Sequence, residues 1–231
     1  MTSLHSANTQ EQERLAKPPK QIFENRFAFP PNRETLGGTS YFIVGNSANI
    51  LIDTPAWNST NREFLQTQGG VQFLFLSHRG AIANVREIHR AFNCEILIQE
   101  QEAYLLPHLS VTSFQHEFTF SDEQIRLLWT PGHSPGSSCL YDGAFGGILF
   151  AGRHLLPNGQ GSPTPLRTSK TFHWWRQLAS VQRILDEFTP ETLEYICPGA
   201  NSGLLRSKGA IPSAYEQLTQ LDLWSLKEES G

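Results

Sequence analysis

The apolar positions of this chain come in short runs separated by polar, helix-like stretches. Residues 71–76 and 94–98 are apolar except for Gln72 and Glu95, which predicts strands buried on both faces. Between them Val85, Ile88 and Phe92 recur at spacings of three and four, the pattern of an amphipathic helix. The elements predicted up to residue 106 are strands at 22–29, 39–44, 49–52, 71–76 and 94–98 and helices at 61–68, 84–92 and 101–106.

The second half repeats this plan loosely. Its predicted elements are strands at 114–120, 124–130, 137–141, 148–151 and 193–197 and helices at 171–188 and 211–227. Residues 152–170 are rich in glycine and proline and predict a long irregular loop. Loops of this length inside a compact domain often carry function.

The alternation of strands and helices predicts an α/β protein, because each apolar sheet face needs a layer that covers it. Two half-patterns of this kind predict two sheets with helices outside them, a four-layer αββα sandwich. Composition by itself does not distinguish this architecture from a doubly wound sheet. The polar residues 1–20, which include Pro18 and Pro19, predict a mobile N-terminal arm, and residues 21–231 a single domain.

Composition and charge exclude several classes of function. Hydrophobic residues make up 39% of the 231-residue chain, so a core can form, and the formal net charge of −4 argues against a non-specific nucleic-acid binder. No apolar run is long enough to cross a bilayer, and the N-terminus lacks the apolar core of a secretory signal. The three cysteines show no CxxC spacing. We therefore expect reduced thiols, a cytoplasmic location, and no membrane or nucleic-acid partner.

Five short motifs lie at predicted strand ends, and their order carries a family resemblance. They are NILIDT at 49–54, LSHRG at 76–80, TPGHSPGS at 130–137, LFAGR at 149–153 and ICPGA at 196–200. In this order and spacing, from about residue 21 to 203, the chain resembles the metallo-β-lactamase-fold superfamily. The TPGHSPGS motif is the most specific, because a Pro-Gly turn presents His133 at a strand end. The resemblance implies the αββα fold and, in the hydrolases of the superfamily, a cleft with two metal ions that activate water.

The resemblance also implies where metal ligands stand, and most of those positions hold other residues here. His78 and His133 match two of the seven ligands of the superfamily pattern. The other five positions hold, in chain order, Gly80, Ile82, Ala83, Arg153 and Ala200. A shorter T-H-R-D-D variant of the first motif aligns Gly80 and Ala81 with carboxylates instead, and the alignment of residues 79–84 stays open between the two.

Arg153 is the largest change, because it is a permanent cation at the position of a metal-bridging aspartate. A guanidinium repels a dication a few ångströms away, so we expect no tightly held metal. The alternative is one weakly bound zinc, iron or manganese ion on His78 and His133, with His154, Cys197 or water as a third ligand.

A cleft without its metals but with Arg79 and Arg153 is cationic. It suits a carboxylate or a phosphate, which arginine binds in bidentate fashion. Asp53 stands at the position of the aspartate that orients the histidine loop in the superfamily. We expect Asp53 to have this role, or to pair with His78, Arg79 or Arg153.

Three functional hypotheses follow. We favour a non-catalytic relative, a pseudoenzyme, that binds a small anion or a protein partner through its cationic cleft. The alternative is a mononuclear metal-dependent hydrolase of thioesters, lactones or phosphoesters. A third, weaker hypothesis is metal-free chemistry with His78 or His133 as general base, and these two are the candidate catalytic residues.

Overall fold

Two large β-sheets form the centre of the molecule in the computed structural model, which describes residues 16–121, 124–205 and 208–228. Sheet 1 contains, in spatial order, β1 Lys20–Phe23, β2 Arg26–Ala28, β3 Tyr41–Ile43, β4 Ile50–Ile52, β5 Phe73–Leu76, β6 Glu95–Gln99 and β7 Thr112–Phe114. Sheet 2 contains β8 Glu117–Thr119, β9 Ile125–Trp129, β10 Ser138–Asp142, β11 Ile148–Gly152 and, beyond β11, the strand Tyr195–Pro198. A small hairpin of β12 Leu156–Pro157 and β13 Pro163–Thr164 follows β11, which makes Tyr195–Pro198 strand β14.

Alternating side chains of the strands build three separate apolar layers. In β5, Phe75 packs between the two sheets in a cluster that it shares with Phe150 of β11. Its neighbours Leu74 and Leu76 face the other way, into a cluster with Ile88 of the covering helices. A third cluster joins the outer face of sheet 2 to helices. Three apolar layers separate four layers of secondary structure, so the predicted αββα sandwich is confirmed.

The helices cover the outer faces of the sheets. Helices α1 (Ser59–Thr67) and α2 (Val85–Phe92) pack on sheet 1, and α3 (Trp174–Glu187) and α4 (Ala214–Thr219) pack on sheet 2. Helix α5 (Leu223–Glu228) contacts α3. Within the described ranges, no helix is long and apolar enough to cross a membrane. The three cysteines are free and buried.

Two predicted strands are divided. Residues 22–29 form a hairpin instead of one strand, because Asn25 takes the left-handed conformation (φ 57°) and reverses the chain between β1 and β2. Residues 114–120 change sheets, since β7 ends at Phe114 in sheet 1 and β8 begins at Glu117 in sheet 2. The apolar residues of both segments correctly predicted extended backbone. They did not predict where the chain turns within each segment.

One other prediction differs, near the C-terminus. The predicted helix at 211–227 is two helices, because the Asp222 carboxylate accepts hydrogen bonds from the N–H groups of Trp224 and Ser225 and begins α5 there. The predicted arm at residues 1–20 lies outside the described residues as far as residue 15, and β1 begins at Lys20.

Strand ends from both sheets meet at one edge of the sandwich. The carbonyl of Ser77, after β5, accepts a hydrogen bond from the N–H of Ser138 in β10. The N–H of Gly199 donates to the carbonyl of Gly152 at 2.6 Å, and a Cβ at position 199 would lie 2.7 Å from the Gly152 carbonyl carbon. The main chains of the ends of β11 and β14 therefore touch, which only glycine permits at position 199.

Candidate functional site

A cavity of about 710 Å³ opens at this edge of the sandwich. The side chains that matter to its chemistry are two imidazoles, His78 and His133, three cations, Arg79, Arg153 and Lys170, and three hydrophobic groups, Leu36, Leu166 and Phe172. None of the described residues that line it carries a carboxylate. The lining therefore has an excess of positive charge.

Asp53, which follows β4, holds the chain that follows β5. Its Oδ1 accepts a hydrogen bond from the N–H of Ser77 at 2.7 Å, and its Oδ2 accepts one from the Ser77 hydroxyl at 2.7 Å. Ser77 Oγ in turn lies 2.9 Å from His78 Nδ1. Asp53 thus orients the His78 imidazole through Ser77. Burial raises the pKa of Asp53 to about 6, against the lowering effects of the Ser77 hydrogen bonds and the Arg153 charge.

His78 and His133 are neighbours, with ring centroids 5.3 Å apart and an angle of 72° between the ring planes. His78 is buried, and its Nε2 has no hydrogen-bond partner. Burial, the neighbouring His133 and the charges of the two arginines lower the pKa of His78 well below its ordinary value. Burial and the same arginine charges lower the pKa of His133 to about 4. Both rings are therefore neutral at neutral pH.

Arg153 follows β11 and binds main-chain oxygens. Its Nη2 donates to the carbonyls of Thr35 at 2.8 Å and Leu36 at 3.0 Å, while its Nε is buried without a partner. None of the ion pairs among the described residues joins Arg153 to Asp53. The guanidinium therefore keeps an unused donor, and Asp53 offsets its charge only through the field and not through an ion pair.

Arg79 and Lys170 are the two exposed cations of the lining. The Arg79 side chain reaches the carbonyl of Lys170, with an Nη2-to-oxygen distance of 3.4 Å. This contact joins the segment after β5 to the loop that carries Lys170 at the cavity.

The other two predicted metal candidates do not line the cavity. His154 is fully buried, and neither of its ring nitrogens has a hydrogen-bond partner. Burial, with contributions from His133 and Arg183, lowers the pKa of His154 to about 3. Cys197 lies in the apolar cluster between the sheets, where burial raises the pKa of its thiol. The structure brings Asp53, His78, His133, Arg79 and Arg153 together and leaves His154 and Cys197 apart.

The residues present do not fit a two-metal centre. Gly80 and Ala200 line the cavity without a donor atom, and Arg153 brings a cation. Across the described residues, no group of three or more His, Cys, Asp and Glu side chains is arranged to hold a metal ion. His78 and His133 supply two nitrogen donors, one fewer than the three protein ligands of a catalytic zinc site.

Sequence reasoning missed one cation of the lining and three of its hydrophobic side chains. Leu36, Leu166, Phe172 and Lys170 come from two irregular segments, one before β3 and one between β13 and α3. The length and the glycine and proline content of the loop at 152–170 were a usable signal, since two of the four residues belong to it. Nothing in the sequence indicated that Leu36 lies at the cavity.

The family model described as the metallo-beta-lactamase superfamily matches residues 33–187, more than half of the chain. The chain therefore belongs to the metallo-β-lactamase superfamily. No curated protein matches the sequence significantly.

Solved structures show the same fold at low sequence identity. VMB-1 is 14% identical with a TM-score of 0.69, and the match covers 93% of this chain and 99% of that one. TTHA1623 in a di-iron-bound form is 21% identical with a TM-score of 0.61, covering 81% and 96%. The archaeal superfamily protein ST1585 from Sulfolobus tokodaii is 14% identical with a TM-score of 0.61, covering 90% and 86%. Likeness at this identity establishes the fold and leaves function to the residues of the site.

Proposed function

We propose that this protein binds a small organic anion in its cavity and does not hydrolyse it. The observation that carries the proposal is the lining, in which Arg79, Arg153 and Lys170 are accompanied by no carboxylate among the described residues. Like charges gathered without a counter-charge repel one another, and a bound anion removes that repulsion.

The donors favour a carboxylate or a phosphate as the charged group. Arg153 has a buried Nε–H without a partner, and an oxyanion satisfies such a donor with a charge-assisted hydrogen bond. The cavity volume of about 710 Å³ is larger than a bare ion requires and lies in the range of about 300–1,000 Å³ in which pockets hold organic ligands. Leu36, Leu166 and Phe172 are exposed on its rim, which supports an apolar part beside the charge.

The donor set supports the non-hydrolytic part of the proposal. TTHA1623 has a di-iron-bound form. In this chain Gly80 and Ala200 have no donor atoms, and the Arg153 cation opposes a dication at the same place. A pseudoenzyme that keeps the fold and has replaced the metals with an anion site accounts for these residues together.

The alternative is a mononuclear hydrolase with one metal on His78 and His133, and the closeness of the two rings favours it. A protein partner whose acidic group enters the cavity is a further candidate occupant. The proposal includes a cytoplasmic location, which the three free, buried thiols support.

Thermal unfolding with added benzoate or inorganic phosphate tests the anion site. A ligand that binds only the folded protein stabilises it by about 2.7 kcal/mol at 100 times its Kd. We expect both anions to stabilise the wild type and the Arg90→Ala variant, since Arg90 is exposed and outside the lining. Arg153→Met, which keeps the length of the side chain and removes the charge, should lose the effect. Equal stabilisation of the Arg153→Met variant would contradict the proposal.

Elemental analysis of protein purified without chelator tests the alternative. One zinc, iron or manganese ion per chain that disappears in the His133→Ala variant would replace the proposal with the mononuclear hydrolase. Metal-free protein with anion-dependent stability supports the anion site.

A further inference from the structure

The hydrogen bonds around Ser77 fix the position of one proton in the cavity. An ionised Asp53 only accepts, and it lies 2.7 Å from both the N–H and the hydroxyl of Ser77. The single hydroxyl proton of Ser77 is therefore used toward Asp53. Ser77 Oγ is also 2.9 Å from His78 Nδ1, and the oxygen has only a lone pair to offer there. Nδ1 must donate, so the neutral His78 ring carries its proton on Nδ1.

The other ring nitrogen is then an acceptor without a donor. His78 Nε2 has no hydrogen-bond partner, and His78 lines the cavity. Position 80 keeps this nitrogen clear, because a Cβ on Gly80 would lie 3.0 Å from Nε2. The wall of a cavity that carries three cations and no carboxylate among the described residues thus holds one buried lone pair that only a hydrogen-bond donor satisfies.

We infer that the cavity selects an organic anion that carries a hydroxyl group next to its charged group, as a 2-hydroxycarboxylate does. The charged group compensates Arg153 and its neighbours, and the hydroxyl donates to His78 Nε2. This inference rests on the proposed function and deepens it. A carboxylate without the hydroxyl compensates the charge but leaves Nε2 unpaired, so it binds more weakly.

Mandelate and phenylacetate are the probes for this selection. Both have a carboxylate and an aromatic ring, and they differ in one hydroxyl group. We expect isothermal titration calorimetry of the wild type to give mandelate an affinity at least about tenfold higher, the size of one buried hydrogen bond. In Gly80→Ala, whose methyl group crowds Nε2, the ratio of the mandelate affinity to the phenylacetate affinity should fall toward one.

A second variant and a spectroscopic measurement keep the inference testable if the Gly80→Ala variant does not fold. His78→Asn keeps a donor near Ser77 and removes Nε2, so it should also lose the preference for mandelate. Long-range ¹H–¹⁵N correlation spectra of the free wild type should show the His78 proton on Nδ1.

The outcomes separate the two proposals. Equal affinities of the wild type for the two probes, or a proton on His78 Nε2, would overturn the selection and leave the anion site standing. Absence of binding by mandelate, phenylacetate and inorganic phosphate alike would overturn the proposed function. A preference for mandelate that both variants abolish supports the inference.

Discussion

Two arginines of this protein lie near buried carboxylates and behave differently. Arg26 of β2 joins Asp142 of β10 through Nη2 at 2.7 Å and Nε at 2.9 Å, and only 2% of the Asp142 side chain is exposed. Arg153 acts on the buried Asp53 only through its field, donates to two carbonyl oxygens and leaves its Nε unpaired. Asp53 instead accepts one hydrogen bond from Ser77 on each of its carboxylate oxygens.

The difference indicates that Arg26 has a structural role and that Arg153 is available for binding. A buried pair with complete hydrogen bonds between the sheets holds the fold together, and its charges are consumed by each other. Arg153 forms no ion pair with Asp53, because both Asp53 oxygens accept hydrogen bonds from Ser77. Its charge is therefore available to a ligand. The contrast predicts separate effects on stability and on binding, which mutation can measure.

The largest effect on stability is expected from breaking the ion pair between Arg26 and Asp142. Asp142→Ala leaves Arg26 without its carboxylate and removes the acceptor of the Ala144 N–H. Removing one partner of a buried pair costs about 3–5 kcal/mol, so we expect a loss of about 3 kcal/mol in the free energy of unfolding. Urea unfolding measures it, and anion binding by the folded fraction should be unchanged. A loss below about 1 kcal/mol would remove the contrast with Arg153.

The buried histidines around Arg153 predict a pH dependence of stability. The pKa of His133 is lowered to about 4 and that of His154 to about 3, so the unfolded chain binds these protons first as pH falls below about 6.5. Their contribution makes the protein less stable toward acid. Asp53 has the opposite sign, because its pKa is raised to about 6 and the folded state binds its proton first.

With three histidines, including His78, against one aspartate, we expect the free energy of unfolding to fall by more than about 1 kcal/mol from pH 7 to pH 5. Urea unfolding at the two pH values measures it. His154→Leu should make the decrease smaller, and an unchanged slope in that variant would contradict the buried neutral state of His154.

A smaller effect on stability is expected at Arg153. Without ligand, Arg153→Met loses two hydrogen bonds to carbonyls but also removes a buried donor without a partner and a charge near Arg79. These terms oppose each other, so we expect a change of less than about 1 kcal/mol in urea unfolding. A loss as large as that of Asp142→Ala would make Arg153 a structural residue.

The smallest effect is expected at Arg79, which is exposed at the opening. Its charge is screened by solvent and salt, so Arg79→Ala should weaken benzoate binding by about threefold at low ionic strength. The effect should vanish in high salt, as calorimetry at two salt concentrations would measure. A tenfold loss that persists in salt would mean that Arg79 contacts the ligand directly.

The αββα sandwich was predictable because the pattern of apolar residues along a strand indicates which faces of its sheet are buried. Leu74 and Leu76 face helices while Phe75 faces the other sheet, and that two-sided burial is what a continuous apolar run predicts. Positions of chain reversal were less visible. The change of sheets between Phe114 and Glu117 contains no glycine or proline to signal it, and both flanking strands are extended.

The site was predictable in part for the same kind of reason. Motifs at strand ends brought His78, His133 and Arg153 to one edge, because strand ends of a sheet meet there. The partners of Arg153 were not predictable, since Thr35 and Leu36 lie in an irregular segment and bind through main-chain oxygens that every residue has. A pairing between Asp53 and Arg153 was one of the expected contacts, but Ser77 occupies both carboxylate oxygens.

The contact between Gly152 and Gly199 has a consequence for how this site tolerates substitution. Where two glycine main chains touch, the points from which residues 153 and 200 depart are anchored, and neither can shift without separating strands of the sheet. A substitution at position 153 or 200 therefore changes the chemistry of the cavity wall while the architecture that presents it stays intact.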